Sequence, residues 1–85
     1  MTHVHIVDDH WMVRRGLREI LEAAPSVSAI TESENLHDAF AACRDRRQPV
    51  GVVVLDLVLG AESGLAAIPE LKATSPNLGV LAISF

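Results

Sequence analysis

Asp8, Asp9 and Asp56 are the residues of this chain best placed to do chemistry. The acid pair follows the β-branched run 4–7, and Asp56 follows the apolar run 50–55. Carboxylates that leave parallel strands at their carboxyl ends meet in the crevice where such sheets bind ligands. Crowded together they repel, and at least one has a raised pKa unless a cation intervenes. A hard divalent ion such as Mg2+ suits an oxygen set and commonly sits between carboxylates and phosphate oxygens. A free carboxylate oxygen can then attack phosphorus and form an aspartyl phosphate. That transfer needs mainly alignment and charge neutralisation. Ser84, near the end of the last apolar run, adds a small hydroxyl donor. The competing reading takes the same acids as exposed loop residues or as N-caps.

The elements that must deliver these side chains alternate in type. Residues 4–7 read as a buried strand. Residues 11–24 place Val13, Leu17, Ile20, Leu21 and Ala24 on one helical face, and Pro25 marks the end. Residues 27–31 read as a weaker strand. Asn35 is a good N-cap for a second helix, with Asp38 favouring its first turn. Leu36, Ala39, Phe40 and Cys43 form that helix's apolar face; Arg44, Asp45, Arg46 and Arg47 are solvated; Pro49 breaks it. Residues 50–55 lack polar alternation, as in a strand covered on both faces. Gly60 and Gly64 bracket a loop, and Ser63 can cap a third helix carrying Leu65, Ile68 and Leu71. Pro69 within it predicts a kink or a late start. Ser75, Pro76 and Asn77 form a turn, and residues 78–85 a fourth strand. The order βαβαβαβ implies parallel pairing through right-handed crossovers. The predicted fold is an α/β open parallel sheet with helices on both faces. A flavodoxin-like order, 2-1-3-4, makes strands one and three neighbours.

Composition narrows the function. Across 85 residues, 7 Lys and Arg against 11 Asp and Glu give a net charge of -4. That balance argues against a nucleic-acid surface. A hydrophobic share of 49% predicts a packed core. A lone cysteine, Cys43, cannot pair internally and reads as an inert core thiol. No run is long enough to span a membrane and the N-terminus lacks a signal-peptide pattern, so a cytoplasmic location is expected. His3 and His5 share one face of the first strand, but they and His10 lack a zinc-type spacing and are set aside as metal ligands. His37 falls at the exposed start of helix two. Arg14, Arg15 and Arg18 read most simply as a solvated face of helix one. No Gly-rich phosphate loop or Ser/His/Asp hydrolase pattern is present.

Three segments carry a resemblance. Val7-Asp8-Asp9-His10 followed by Val13-Arg14-Arg15-Gly16-Leu17 resembles the opening of response-regulator receiver domains that precede a LuxR-type helix-turn-helix. Val54-Leu55-Asp56-Leu57, with Gly64-Leu65 eight and nine residues beyond the aspartate, resembles the phosphorylation-site segment, and Leu81-Ala82-Ile83-Ser84 the fourth strand with its switch hydroxyl. The resemblance implies that Asp56 accepts a phosphoryl group from a sensor histidine kinase. It implies Mg2+ held by Asp9, Asp56 and the backbone carbonyl of Val58, with Asp8 acting through a bound water. Ser84 turns toward the phosphoryl group, and helix one lies where the kinase docks, which makes its arginines candidate contacts. Three departures stand out. Trp11 and Gly60 stand where proline is common, the latter implying a more flexible loop. The third is the end: the family continues through a fourth helix, a fifth strand bearing a lysine and a switch aromatic, and a fifth helix. Lys72, on the third helix, cannot substitute. The 85 residues are therefore expected to be a partial receiver of impaired activity, without DNA binding of their own. Self-association through the open fourth strand or the uncovered face of helix one is also expected. Two other functions compete: a phosphate-independent dimerisation or interaction module, and a Mg2+-dependent phosphohydrolase. The latter is weakened because Asp8 is followed two residues on by His10 instead of a second acid.

Overall fold

The computed structural model describes residues 1–84. The elements run β1 (Thr2–Val7), α1 (Trp11–Glu22), β2 (Val27–Ser33), α2 (Leu36–Arg44), β3 (Val52–Asp56), β4 (Val58–Leu59), β5 (Glu62–Ser63), α3 (Gly64–Thr74) and β6 (Gly79–Ile83). Four strands form one sheet in the order β2-β1-β3-β6, every pair parallel. This is the expected 2-1-3-4 order. Phe85, where the fourth strand was expected to end, lies outside the described residues.

Burial follows the two-residue period of the strands. Val7, Val53 and Leu55 point to one face and build the main core with Ala39 of α2 and Ala67 and Leu71 of α3. Val4, Ile6 and Val54 point to the other face, where α1 packs over β1 and β2. No residue of α1 is buried. Ile20, expected on its inward face, is 70% exposed. Helical spacing alone did not secure its burial.

The helix starts obey local chemistry. The Asn35 carboxamide oxygen accepts from the Asp38 N–H at 2.8 Å, and Ser63 Oγ accepts from the Ala66 N–H at 3.3 Å. Pro69 does not delay α3, which begins at Gly64. The loop expected between Gly60 and Gly64 is the turn and second strand of a small antiparallel hairpin, β4 with β5. Gly60 turns it with φ of +59°, and among the described residues no non-glycine has positive φ. Positive φ at the first central residue alone is the type II′ pattern. The residue is therefore not merely a looser stand-in for proline, whose ring holds φ near −65°.

Candidate functional site

Register brings the acids together. Val7 pairs with Leu55, so Asp8 and Asp56, one step further along adjacent strands, stand side by side at the carboxyl edge. Both point to the α1 side of the sheet, and both are buried, Asp8 fully. Asp9, one residue on, is exposed. The carboxylates of Asp8, Asp9 and Asp56, together with a ring nitrogen of His10, place ligand atoms within 4.8 Å of one another. Asp8 Oδ1 is held by the His10 N–H at 2.8 Å. Asp8 Oδ2 is buried with no hydrogen-bond partner. A buried, unsatisfied carboxylate oxygen is costly unless something completes it. Three carboxylates, Asp8 among them, offer hard oxygen donors that fit a divalent cation of the Mg2+ type.

The Asp56 loop is built for close approach. Asp56 Oδ1 accepts from the Val58 N–H at 3.0 Å. The Leu57 N–H donates to the Ile83 carbonyl at 3.0 Å, and the Gly64 N–H to the Leu57 carbonyl at 3.0 Å. A Cβ on Gly64 would lie 2.1 Å from the Asp56 carbonyl oxygen, so only glycine fits. Val58 is exposed and, with His10, Val13 and Asp56, lines a cavity of about 370 Å³. Ser84 follows β6 and is exposed. Because Asp56 pairs with Ile83, it stands at the same carboxyl edge, beside Leu57.

The arginines divide. Arg15 is on the solvated face as expected, in an exposed pair with Glu19. Arg14 is not: its side chain is only 11% exposed. Its guanidinium donates to the Asp8 carbonyl at 2.6 Å, to Glu32 at 3.0 Å and to Glu34 at 3.3 Å. Arg18 reaches the Ile30 carbonyl at 3.2 Å. Arg14 and Arg18 therefore bind α1 to β2, an arrangement that helical periodicity could not reveal because the acids come from another element. Lys72 donates to the Leu78 carbonyl at 2.9 Å, at the amino edge of β6 and far from the acids along the strands.

His3 and His5 belong to a buried polar ladder away from the site. The Pro49 carbonyl can only accept, so His3 donates to it from Nδ1 at 3.2 Å. His3 Nε2 then accepts from the Thr31 hydroxyl at 2.7 Å, and Thr31 accepts from His5 Nδ1 at 2.6 Å. His5 Nε2 is left to accept from Ser33 Oγ at 2.9 Å. Each hydrogen-bonding position is filled with both rings neutral. Cys43 packs against the core, and burial raises its thiol pKa.

A parallel α/β sheet with an acidic notch at its carboxyl edge defines a class of signalling domain. Residues 4–85 match the response regulator receiver domain, and the chain belongs to that family. Over 84 residues it is 30% identical to the response regulator UvrY of Escherichia coli K12, covering 99% of this chain and 38% of UvrY. It is 33% identical to the DNA-binding transcriptional activator DevR/DosR of Mycobacterium tuberculosis, again over 99% of this chain and 38% of the relative. The chain thus spans well under half of these curated relatives. A solved structure of the MaeR response regulator bound to beryllium trifluoride superposes with a TM-score of 0.87 at 30% identity, covering 99% of this chain and 67% of that one.

Proposed function

We propose that this chain is the phosphoacceptor module of a two-component response regulator, modified on Asp56 with Mg2+ as cofactor. The observation that carries the reading is the buried, unpartnered Asp8 Oδ2 next to Asp56, within a cluster whose ligand atoms converge. Asp9, Asp56 and the Val58 carbonyl would hold the cation, and Asp8 would act on it through a water. The cation supplies charge neutralisation for the incoming phosphoryl group. Asp56 presents an oxygen for in-line attack, its carboxylate oriented by the Val58 N–H. The phosphoryl donor is a histidine kinase, whose phosphohistidine gives up its P–N bond as the aspartyl P–O bond forms. Ser84 turns inward to hydrogen-bond the phosphoryl oxygen and so changes the surface past β6. The relative DevR/DosR is named a DNA-binding transcriptional activator, which supports a transcriptional, cytoplasmic output for the switch.

Incubation with Mg2+ and acetyl phosphate tests the assignment, with beryllofluoride as a parallel, non-hydrolysable probe. The expected result is a mass increase of one phosphate, stable to acid and labile to base, absent with EDTA and absent in Asp56→Asn. If the adduct persists in Asp56→Asn, the phosphoacceptor is another residue. If neither probe gives an adduct, a phosphate-independent interaction module is the better reading.

A further inference from the structure

The solvent side of α1 carries an arrangement that neither the core nor the acid site uses. Each residue of an α-helix turns by about 100° from the last. Arg14 and Arg18, which reach the Asp8 and Ile30 carbonyls, mark the side of α1 that faces the sheet. Gly16 stands about 200° from each of them, at the opposite pole. Met12 and Ile20 lie one turn before and one turn after it, about 40° to either side. They are 72% and 70% exposed. A surface helix ordinarily presents charged and polar residues along this line. Glycine is a poor helix former, and nothing in the chain requires it here: a Cβ built on Gly16 meets no atom within 4 Å. A glycine between two large apolar side chains suits the close approach of another backbone. Arg15 and Glu19 flank the line on one side, both exposed and 3.6 Å apart.

We propose that the line Met12, Gly16, Ile20 is an isologous interface, covered by α1 of a second copy of this chain running antiparallel to it. A two-fold axis beside Gly16 sets Met12 against the partner's Ile20 and Ile20 against the partner's Met12, with the two glycines at the crossing. Residues four apart form a helix ridge, and two such ridges interdigitate with the axes crossed at about −50°. The same axis keeps the Arg15 and Glu19 rim of each helix on one side of the pair. Arg15 then comes within side-chain reach of the partner's Glu19, and Glu19 of the partner's Arg15. A rim with one charge of each sign at this spacing is complementary to itself, which selects a second copy over an acidic or a basic partner. The pairing leaves the β6 edge free and does not depend on the chemistry assigned to Asp56.

Sedimentation of the 85-residue chain and of surface variants tests this. Arg15→Glu and Glu19→Arg each set like charges across the axis, and each alone is expected to weaken self-association by about tenfold or more. Mixed in equal amounts, the two variants regain opposite charges across the axis and are expected to associate about as tightly as the wild-type chain. Neither regains its own pair of opposite charges within α1, so the recovery cannot come from a repaired monomer. Gly16→Gln, a better helix former that fills the crossing, is expected to raise the denaturant midpoint of the dilute chain while weakening association. A wild-type chain that stays monomeric at micromolar concentration overturns the inference and leaves this face to another protein. Association that persists unchanged in all three variants overturns it too and assigns self-association to the β6 edge. Failure of the mixture to recover does the same for the antiparallel pairing of α1. None of these outcomes touches the Asp56 adduct, so the proposed phosphoacceptor function stands or falls separately.

Discussion

The His5 ring is the residue whose environment most directly sets a solution property. Burial, and next the neighbouring His3, hold its pKa down at about 4 against an ordinary 6.5. A depressed histidine is neutral in the folded chain while the unfolded chain takes up a proton. Its contribution is therefore complete above about pH 6.5 and is lost as pH falls toward 4, a gap worth about 3 kcal/mol. A small domain has about 5–15 kcal/mol in total, so urea midpoints are expected to drop steeply between pH 7 and pH 4.5. His5→Gln is less stable at pH 7 but has a flatter profile across that window. Equal slopes for the two chains would show that the ladder does not govern acid stability. The same ladder shows why residue types alone misdirect. Two histidines on one strand face suggest a metal, whereas Thr31, Ser33 and the Pro49 carbonyl, distant in sequence, satisfy them completely.

At the scale of elements, the β3–α3 connection is where sequence and geometry bind each other most tightly. Gly64→Ala places a methyl group against the Asp56 carbonyl at an impossible 2.1 Å, so Asp56 or α3 must move. We expect a loss of about 1–3 kcal/mol in denaturant unfolding, with weakened Mg2+ binding because Asp56 is displaced. A variant with wild-type stability and cation affinity would show that the loop yields freely. Gly60→Pro, which cannot adopt φ of +59°, should likewise abolish the β4–β5 hairpin and raise local amide exchange. Much of this level was legible in the sequence: the four strand runs, the caps at Asn35 and Ser63, and Asp8 and Asp56 meeting at one edge all follow from period, punctuation and parallel order. The hairpin was not, because two-residue strands carry no periodicity. Nor were the burial of Arg14 and the approach of His10 to the acids, which depend on how α1 sits across β1 and β2.

At the scale of the whole molecule, the two faces of the sheet are unequal. The α2–α3 face is closed over a continuous core. The α1 face leaves Met12 72%, Ile20 70% and Leu81 57% exposed. Among the described residues, β6 pairs only with β3. An unguarded strand edge beside exposed aliphatic groups invites association, so the 85-residue chain is expected to sediment as a dimer or larger species at micromolar concentration. Ile20→Glu combined with Leu81→Lys should return it toward monomer, whereas a monomeric wild-type chain contradicts the expectation. The strand order carries one more consequence. β1 and β3 are each hydrogen-bonded on both sides, whereas β6, among the described residues, has a single bonded neighbour. Amide protons of β1 and β3 should therefore trade with deuterium last and those of β6 far earlier. Asp8, Asp9 and Asp56 hang from the two slow-opening strands and Ser84 from a fast-opening one, so the notch can stay in place while its hydroxyl-bearing rim fluctuates.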